Sequence, residues 1–315
     1  MKKTLSLLLV TWLLLSASFA FAQPELVRVA SLKGPTSMGM VQMIEDPAYQ
    51  FTVAGTADEI VPLLVKGDLD IALLPCNLAS VLYNKTKGQV QMAAINTLGV
   101  LYIVEAGDSV HSIADLKGRT LYSTGKGTTP EYALNAVLRA GGLNPASDLT
   151  IEFKSEATEI ASALGTGQVD LAMLPQPYVT AVLAQNPTLR IALSLTKEWD
   201  KVIPESGLVT GVVLVRKDFA ENKPESLNAF MAAYRASTQY TNQHPSEASV
   251  LIEQLGIAKA AVAEKAIPLC NIVCIEGSDM QAKASGYLAA LFAQDPTAVG
   301  GALPGEDFYL TGAGE

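Results

Sequence analysis

The chain is poor in the residues that most often carry chemistry. It has three cysteines (Cys76, Cys270 and Cys274) and two histidines (His111 and His244). Three cysteines are too few for the disulfide framework of a small secreted scaffold. Cys270 and Cys274 stand four apart, and either bridge in an oxidising compartment or remain buried free thiols; the spacing leaves both readings open. The histidines lie far in sequence from the thiols and from each other, so no metal site is expected. Charge is also scarce. Charged residues make up 17% of the chain, below the roughly 25% of an ordinary soluble protein, and the formal charge is −9 with no basic run. A nucleic-acid binder, which needs Lys and Arg against phosphates, is excluded. Beyond the N-terminus there is no series of long apolar spans, which excludes a polytopic membrane protein. Nor is there a Gly-x-Ser-x-Gly elbow or a phosphate-binding Gly-rich lysine motif.

What the chain does have is apolar surface. Hydrophobic residues are 49% of it, enough to offset chain entropy and exclude disorder, and 315 residues suit two domains. Residues 1–22 read MKKTLSLLLVTWLLLSASFAFA: two lysines, an apolar stretch from Leu5 to Leu15, then small residues ending at Ala22. These are the parts of a secretory signal peptide, with cleavage expected before Gln23; an uncleaved anchor helix is the alternative. Gln23 is not cysteine, so a lipid anchor is not expected, and the periplasm is the expected location.

A repeat at a spacing of one hundred organises the rest. Ala57–Pro75 aligns without a gap on Ala157–Pro175, with nine of 19 positions identical where composition alone gives roughly one or two. The period is too long for a solenoid and indicates two related lobes. Each copy reads as a helix, a glycine stop at Gly67 or Gly167, and a buried strand (Asp70–Leu74, Asp170–Leu174) ended by Pro75 or Pro175. Helices are expected next, at Asn77–Tyr83 and Tyr178–Leu183. Upstream, Leu26–Ser31 reads as a strand, Lys33–Ser37 as a loop and Met38–Glu45 as a helix. In the second lobe Arg119–Ser123 reads as a strand and Gly125–Pro130 as a loop before a helix. Strands alternating with helices imply an α/β fold with mixed, mostly parallel sheets, and ligands beyond the strands' carboxyl ends. Thr97–Glu105 and Leu208–Lys217 are β-rich runs suited to crossing into the second lobe and back. The expected division is therefore 23–105 for the first part of lobe 1, 106–211 for lobe 2, and 212–315 for the return and a helical C-terminal part. Hinges are expected near Glu105–Asp108 and Leu208–Gly211.

The motifs Asp115-Leu116-Lys117-Gly118-Arg119-Thr120, Gly125–Pro130, Gly67–Ala72, Gly167–Ala172 and Leu214–Phe219, in this order, resemble the solute-binding proteins of ATP-driven importers. The likeness is to the NMT1-like group for sulfonates, taurine, nitrate and the thiamine pyrimidine precursor. It implies a two-lobed, type II periplasmic-binding-protein-like fold that closes on one small molecule and presents it to a membrane permease. It also implies a monomer with no cofactor and no catalysis.

The same likeness places Gly34, Pro35, Thr36, Ser37 and Met38, then Pro75, Cys76 and Asn77, then Gly125, Lys126, Gly127, Thr128 and Thr129, and finally Pro175–Tyr178 with Gln176, at the cleft. The residues argue similarly. Thr36, Ser37, Thr128 and Thr129 lie at helix starts, where free N–H groups favour an anion or carbonyl oxygen, although simple N-caps would look the same. Lys33 and Lys126 could hold an anionic group or be solvated, and Tyr178 could stack on a ligand or cover an edge. Trp199 either lines the cleft or packs, Asn96 is similarly placed, and the Met38, Met40 and Met43 group also reads as core filling. The alternatives to a binding protein are a small-metabolite enzyme on the same fold, with Cys76 as nucleophile, and a ligand-sensing module for a membrane receptor.

Overall fold

The computed structural model describes residues 26–204 and 206–312; the expected signal peptide lies outside the described residues. Among the described residues eleven strands form two sheets. In chain order they are β1 (Val27–Leu32), β2 (Tyr49–Ala54), β3 (Ile71–Pro75), β4 (Val90–Leu98), β5 (Leu101–Ala106), β6 (Thr120–Thr124), β7 (Thr150–Lys154), β8 (Leu171–Pro175), β9 (Leu189–Ser194), β10 (Val209–Arg216) and β11 (Ile272–Ile275). The first sheet has the order β11-β4-β10-β3-β1-β2 and the second β7-β6-β8-β5-β9. Four of six strands run one way in the first and four of five in the second, so both sheets are mixed and mostly parallel.

The repeat is visible in three dimensions. β3 and β8 occupy equivalent central places, each next to a parallel strand from earlier in the chain (β1 or β6). Each is preceded by a helix, Ala57–Lys66 or Ala157–Gly165, that buries Ile60 and Leu64 or Ile160 and Leu164. Gly67 and Gly167 follow with φ of 89° and 73°, the left-handed turn that glycine adopts without strain. The copies differ at the helix start. Thr56 and Glu59 form a capping box in the first, with the Thr56 amide 2.9 Å from Glu59 Oε1, whereas Glu156 at the same place makes no side-chain cap.

The two sheets exchange one strand in each direction. β5 enters the second sheet antiparallel to β8, with Leu101 opposite Pro175; β10 returns antiparallel to β3, with Gly211 opposite Pro75. The crossing out falls at Gly99–Val100, because residues from Leu101 onwards already pair in the second sheet. It is thus several residues ahead of the 105/106 boundary and of the hinge expected at Glu105–Asp108. Asn271 and Thr196 both donate to the Gly99 carbonyl, and any Cβ there would strike the Thr196 hydroxyl and Leu208. Close approach of three segments is therefore what requires glycine at this crossing.

Two further stretches depart from the sequence reading. The helix expected over Met38–Glu45 begins earlier, as the short helix Pro35–Met38, and breaks at Gly39 before a 3-10 turn at Val41–Met43. Gly39 is the contact point with the long helix Pro224–Gln243: a Cβ there would lie 2.8 Å from the Tyr234 hydroxyl. Within the otherwise helical C-terminal part, Ile272–Ile275 adds the edge strand β11 to β4. Cys270 and Cys274, just before and within it, are free thiols, and burial pushes each up to about 12.

Glu105 closes the far end of β5. Its buried carboxylate accepts bonds from the Ser109 amide (3.0 Å), the Ser109 hydroxyl (3.0 Å) and the Val110 amide (3.1 Å), and pairs with Arg190. Burial pushes the carboxyl up, but the hydrogen bonds and the arginine outweigh it and hold it below its ordinary value. A carboxyl lowered on folding stabilises the protein at neutral pH, and that contribution is lost as pH falls below the ordinary 4.5 and through the lowered folded value. Glu105→Gln should therefore unfold at lower denaturant than the parent at about pH 7, with the gap narrowing at about pH 3.5. A gap independent of pH would show that the charge of Glu105 contributes nothing.

Candidate functional site

A cavity of about 410 Å³ lies at the carboxyl ends of both sheets, where the two halves meet. The first half supplies Pro75 at the end of β3, then Asn77 and Leu78 from the helix Cys76–Thr86. The second supplies Pro175 at the end of β8, with Thr128, Thr129 and Pro130 at the start of the helix Thr129–Ala140. The crossing segments complete it with Val100 and Leu101 on one side and Thr210 on the other. Because Leu101 sits opposite Pro175 and Gly211 opposite Pro75, Val100 and Thr210 occupy equivalent positions in the two halves. Two pairs of lining residues, Pro75 with Pro175 and Val100 with Thr210, thus repeat across the cavity.

No charged side chain lines it among the described residues; three prolines, two leucines and a valine make most of the wall. Polarity comes from Asn77, Thr128, Thr129 and Thr210, and from the N-termini of two helices that begin there, where free N–H groups and the helix dipole favour acceptor atoms. Thr129 Oγ1 donates to Asn77 Oδ1 at 3.1 Å, a bond that spans the two halves. Thr128 caps the second helix, and its hydroxyl turns back to the Gly125 carbonyl at 2.7 Å. Gly125 and Gly127 take φ of 76° and 73° in this loop, and the Gly127 amide donates to Glu131 at 2.6 Å.

Of the residues singled out from the sequence, Pro75, Asn77, Thr128 and Thr129 line the cavity. The loop Gly34–Ser37 borders it through Thr36, whose methyl lies 3.4 Å from where a Cβ on Gly211 would stand. Ser37 is buried and spends its hydroxyl on the Gly34 carbonyl (2.9 Å), while Pro35 is the first residue of the short helix. Asn96 is fully buried one layer back. Its Nδ2 donates to the Thr36 carbonyl at 3.4 Å and its Oδ1 faces Gly211, where any side chain would strike it. Gln176 is buried, and its Oε1 accepts from the Thr180 hydroxyl at 2.8 Å. Tyr178 begins the next helix, half-buried and outside the lining.

Four further residues named for the cleft lie away from the cavity. Met38 is fully buried in an apolar cluster with Val41, Ala248 and Ile252, away from the cavity. Cys76 points into the core, and burial pushes its thiol up. Lys126 is exposed and lines an outer depression with Glu131 and Arg139. Trp199 is fully buried beneath the site, with its ring on Tyr287 (5.6 Å between centroids) and Nε1 donating to Ser206 Oγ at 3.0 Å. Leu78, Val100, Leu101 and Thr210 were not singled out. The repeat carried the signal for the last three, since two crossing runs must lie against the two proline-ended strands.

Two α/β halves, each completed by a strand from the other and enclosing a cavity at their carboxyl ends, define the periplasmic-binding-protein-like fold. The chain belongs to the NMT1/THI5-like family, whose model matches residues 63–248. A solved ABC transporter protein from Parabacteroides distasonis is 27% identical, superposes with a TM-score of 0.77, and the match covers 90% of this chain and 98% of that one. The periplasmic aliphatic sulfonate-binding protein of Escherichia coli is 16% identical with a TM-score of 0.70, covering 87% and 89%; at that identity the likeness is one of fold. A Brucella abortus protein, provisionally described as a binding protein, is 22% identical over 53% of this chain, which spans about half the length of that relative. The structural neighbours are thus ABC-transporter and periplasmic binding proteins. Among the described residues no helix is long and apolar enough to cross a membrane.

Proposed function

We propose that this chain is the solute-binding component of an ATP-driven importer, exported to the periplasm by its leader and acting as a monomer that hands one small molecule to a membrane permease. In this reading the two halves are lobes that close on the solute, with Gly34–Ser37, Asn96 and Gln176 supporting the cavity wall. The observation that carries it is the cavity at the carboxyl ends of both sheets, lined in equivalent positions by Pro75 and Pro175 and by Val100 and Thr210. The wall's chemistry favours a small neutral molecule, flat or largely apolar, with acceptor atoms for the two helix starts and a polar edge for Asn77 and Thr129. A sulfonate, the ligand class of the Escherichia coli neighbour, would meet no cationic side chain here. The enzyme reading loses its nucleophile. Cys76 is buried with its thiol raised, the opposite of what attack requires; His111 contacts Asp108 and His244 packs at a tilt against Tyr240.

Native mass spectrometry of the exported protein tests the proposal. A stoichiometric neutral small molecule released on denaturation is the expected result. Thr210→Trp, which fills the cavity from β10, should fold and lose that molecule, weakening binding on the order of a hundredfold. An empty protein that no neutral heterocycle, amide or sulfonate stabilises against heat would refute it.

A further inference from the structure

The helix Thr129–Ala140 starts at the cavity and runs along the boundary between the two halves. Facing it is the C-terminal helix Gly277–Phe292, which packs on β4, β10 and the helix Cys76–Thr86 of the first half. Three hydrogen bonds join the helix Thr129–Ala140 to the turn that ends the C-terminal helix, in addition to the Thr129–Asn77 bond at the cavity. The Tyr132 hydroxyl donates to Asp295 Oδ2 at 2.8 Å, Gln294 Nε2 donates to the Tyr132 carbonyl at 3.0 Å, and Arg139 donates to Gln294 Oε1 at 2.9 Å. Tyr132 and Arg139 are seven residues apart, so one face of the helix presents both to a single turn of chain. That turn is itself fixed. Asp295 Oδ1 accepts from the amide and hydroxyl of Thr297 at 2.9 and 2.7 Å, leaving Oδ2 for Tyr132. Gln294 is held at both ends of its amide, so neither group can turn away without losing a bond.

We propose that Gln294 and Asp295 form a latch that clasps Tyr132 and Arg139 and holds the two halves together over the cavity. The proposal rests on reading that cavity as the solute site and names what controls entry to it. Every group in the latch belongs to the chain, so it favours the closed arrangement whatever the cavity contains. Tyr132, Gln294 and Asp295 are half-buried and Arg139 is exposed, so water competes for each bond and the clasp is reversible. Access to the cavity is then set by the fraction of molecules with the latch undone.

The chain carries its own reporter of closure. Trp199 sits on the helix Leu195–Val202, which packs on β5, β9 and the helix Thr129–Ala140, while its ring partner Tyr287 belongs to the C-terminal helix on the other side of the boundary. The experiment uses the full chain with Trp12→Phe, so that Trp199 is the sole tryptophan, and compares it with Tyr132→Phe plus Gln294→Ala by small-angle scattering and tryptophan emission. The parent should scatter with the compact profile of the structure. The double variant should raise the open population about tenfold, with a larger radius of gyration and red-shifted Trp199 emission at unchanged circular dichroism. Tyr132→Phe alone, which removes one hydroxyl, should move both readouts part of the way, and it decides the matter if the double variant does not fold. A parent already expanded, or variants indistinguishable from it, would overturn the latch. Failure of the solute reading shows elsewhere: an empty native mass spectrum with a responsive latch would remove the solute and leave the latch standing.

Discussion

Trp199→Ala is expected to lower the unfolding free energy by about 4 kcal/mol, the range for emptying a large buried aromatic site. Trp199 is fully buried, packed at a tilt against Tyr287 and bonded through Nε1 to Ser206, and it belongs to an apolar cluster that includes Ala72 and Ile95 of the first sheet as well as Ile103 and Leu171 of the second. The loss is therefore felt by both halves, and denaturant unfolding should remain a single transition at a lower midpoint. Trp199→Phe keeps most of the ring and gives up the bond to Ser206, so it should cost about 1 kcal/mol. Equal losses for the two substitutions would mean that the Nε1 bond, not the ring's packing, is what holds this junction.

Asp70→Ala should cost about 3 kcal/mol, while Asp170→Ala at the matching place in the repeat should stay within about 0.5 kcal/mol of the parent. Asp70 is buried and accepts from the Arg28 amide (2.9 Å), Nε (3.0 Å) and Nη2 (2.7 Å), tying the entry of β3 to β1. Its counterpart Asp170 is exposed. One residue type at one place in two copies is thus structural in the first and solvated in the second. Chemical unfolding of the two variants side by side measures the difference, and equal losses would refute the assignment of Asp70 to the core.

The contrast shows how far the sequence could be read. The repeat disclosed the helix, glycine stop and strand of each half, because those features depend on local periodicity and on where a left-handed residue is needed. The family likeness named Pro75, Asn77, Thr128 and Thr129 for the cleft, and all four line the cavity, because the carboxyl ends of parallel strands face one way. What neither disclosed depends on contacts between distant segments. The break at Gly39 follows from the approach of Tyr234, nearly two hundred residues later. The crossing at Gly99 is set by Thr196 and Leu208, and β11 exists only because β4 offers it an edge. Cys76 and Met38 read as cleft residues from their position, but side-chain direction sends both into the interior. Lys126 follows the same rule in reverse and turns outward to solvent.

The exchanged strands also set an order of assembly. The second sheet is built from β5 to β9, one uninterrupted stretch of chain, so all its strands are present as soon as residue 194 has been made. The first sheet has no such independence: β10 lies between β3 and β4, and until it arrives those two strands each keep a bare edge. A nascent chain therefore carries a finished second half beside a first half that is still split, with apolar strand edges open to pairing with neighbours. Holding the first half unfolded until Arg216, the last residue of β10, has been made would spare it that exposure.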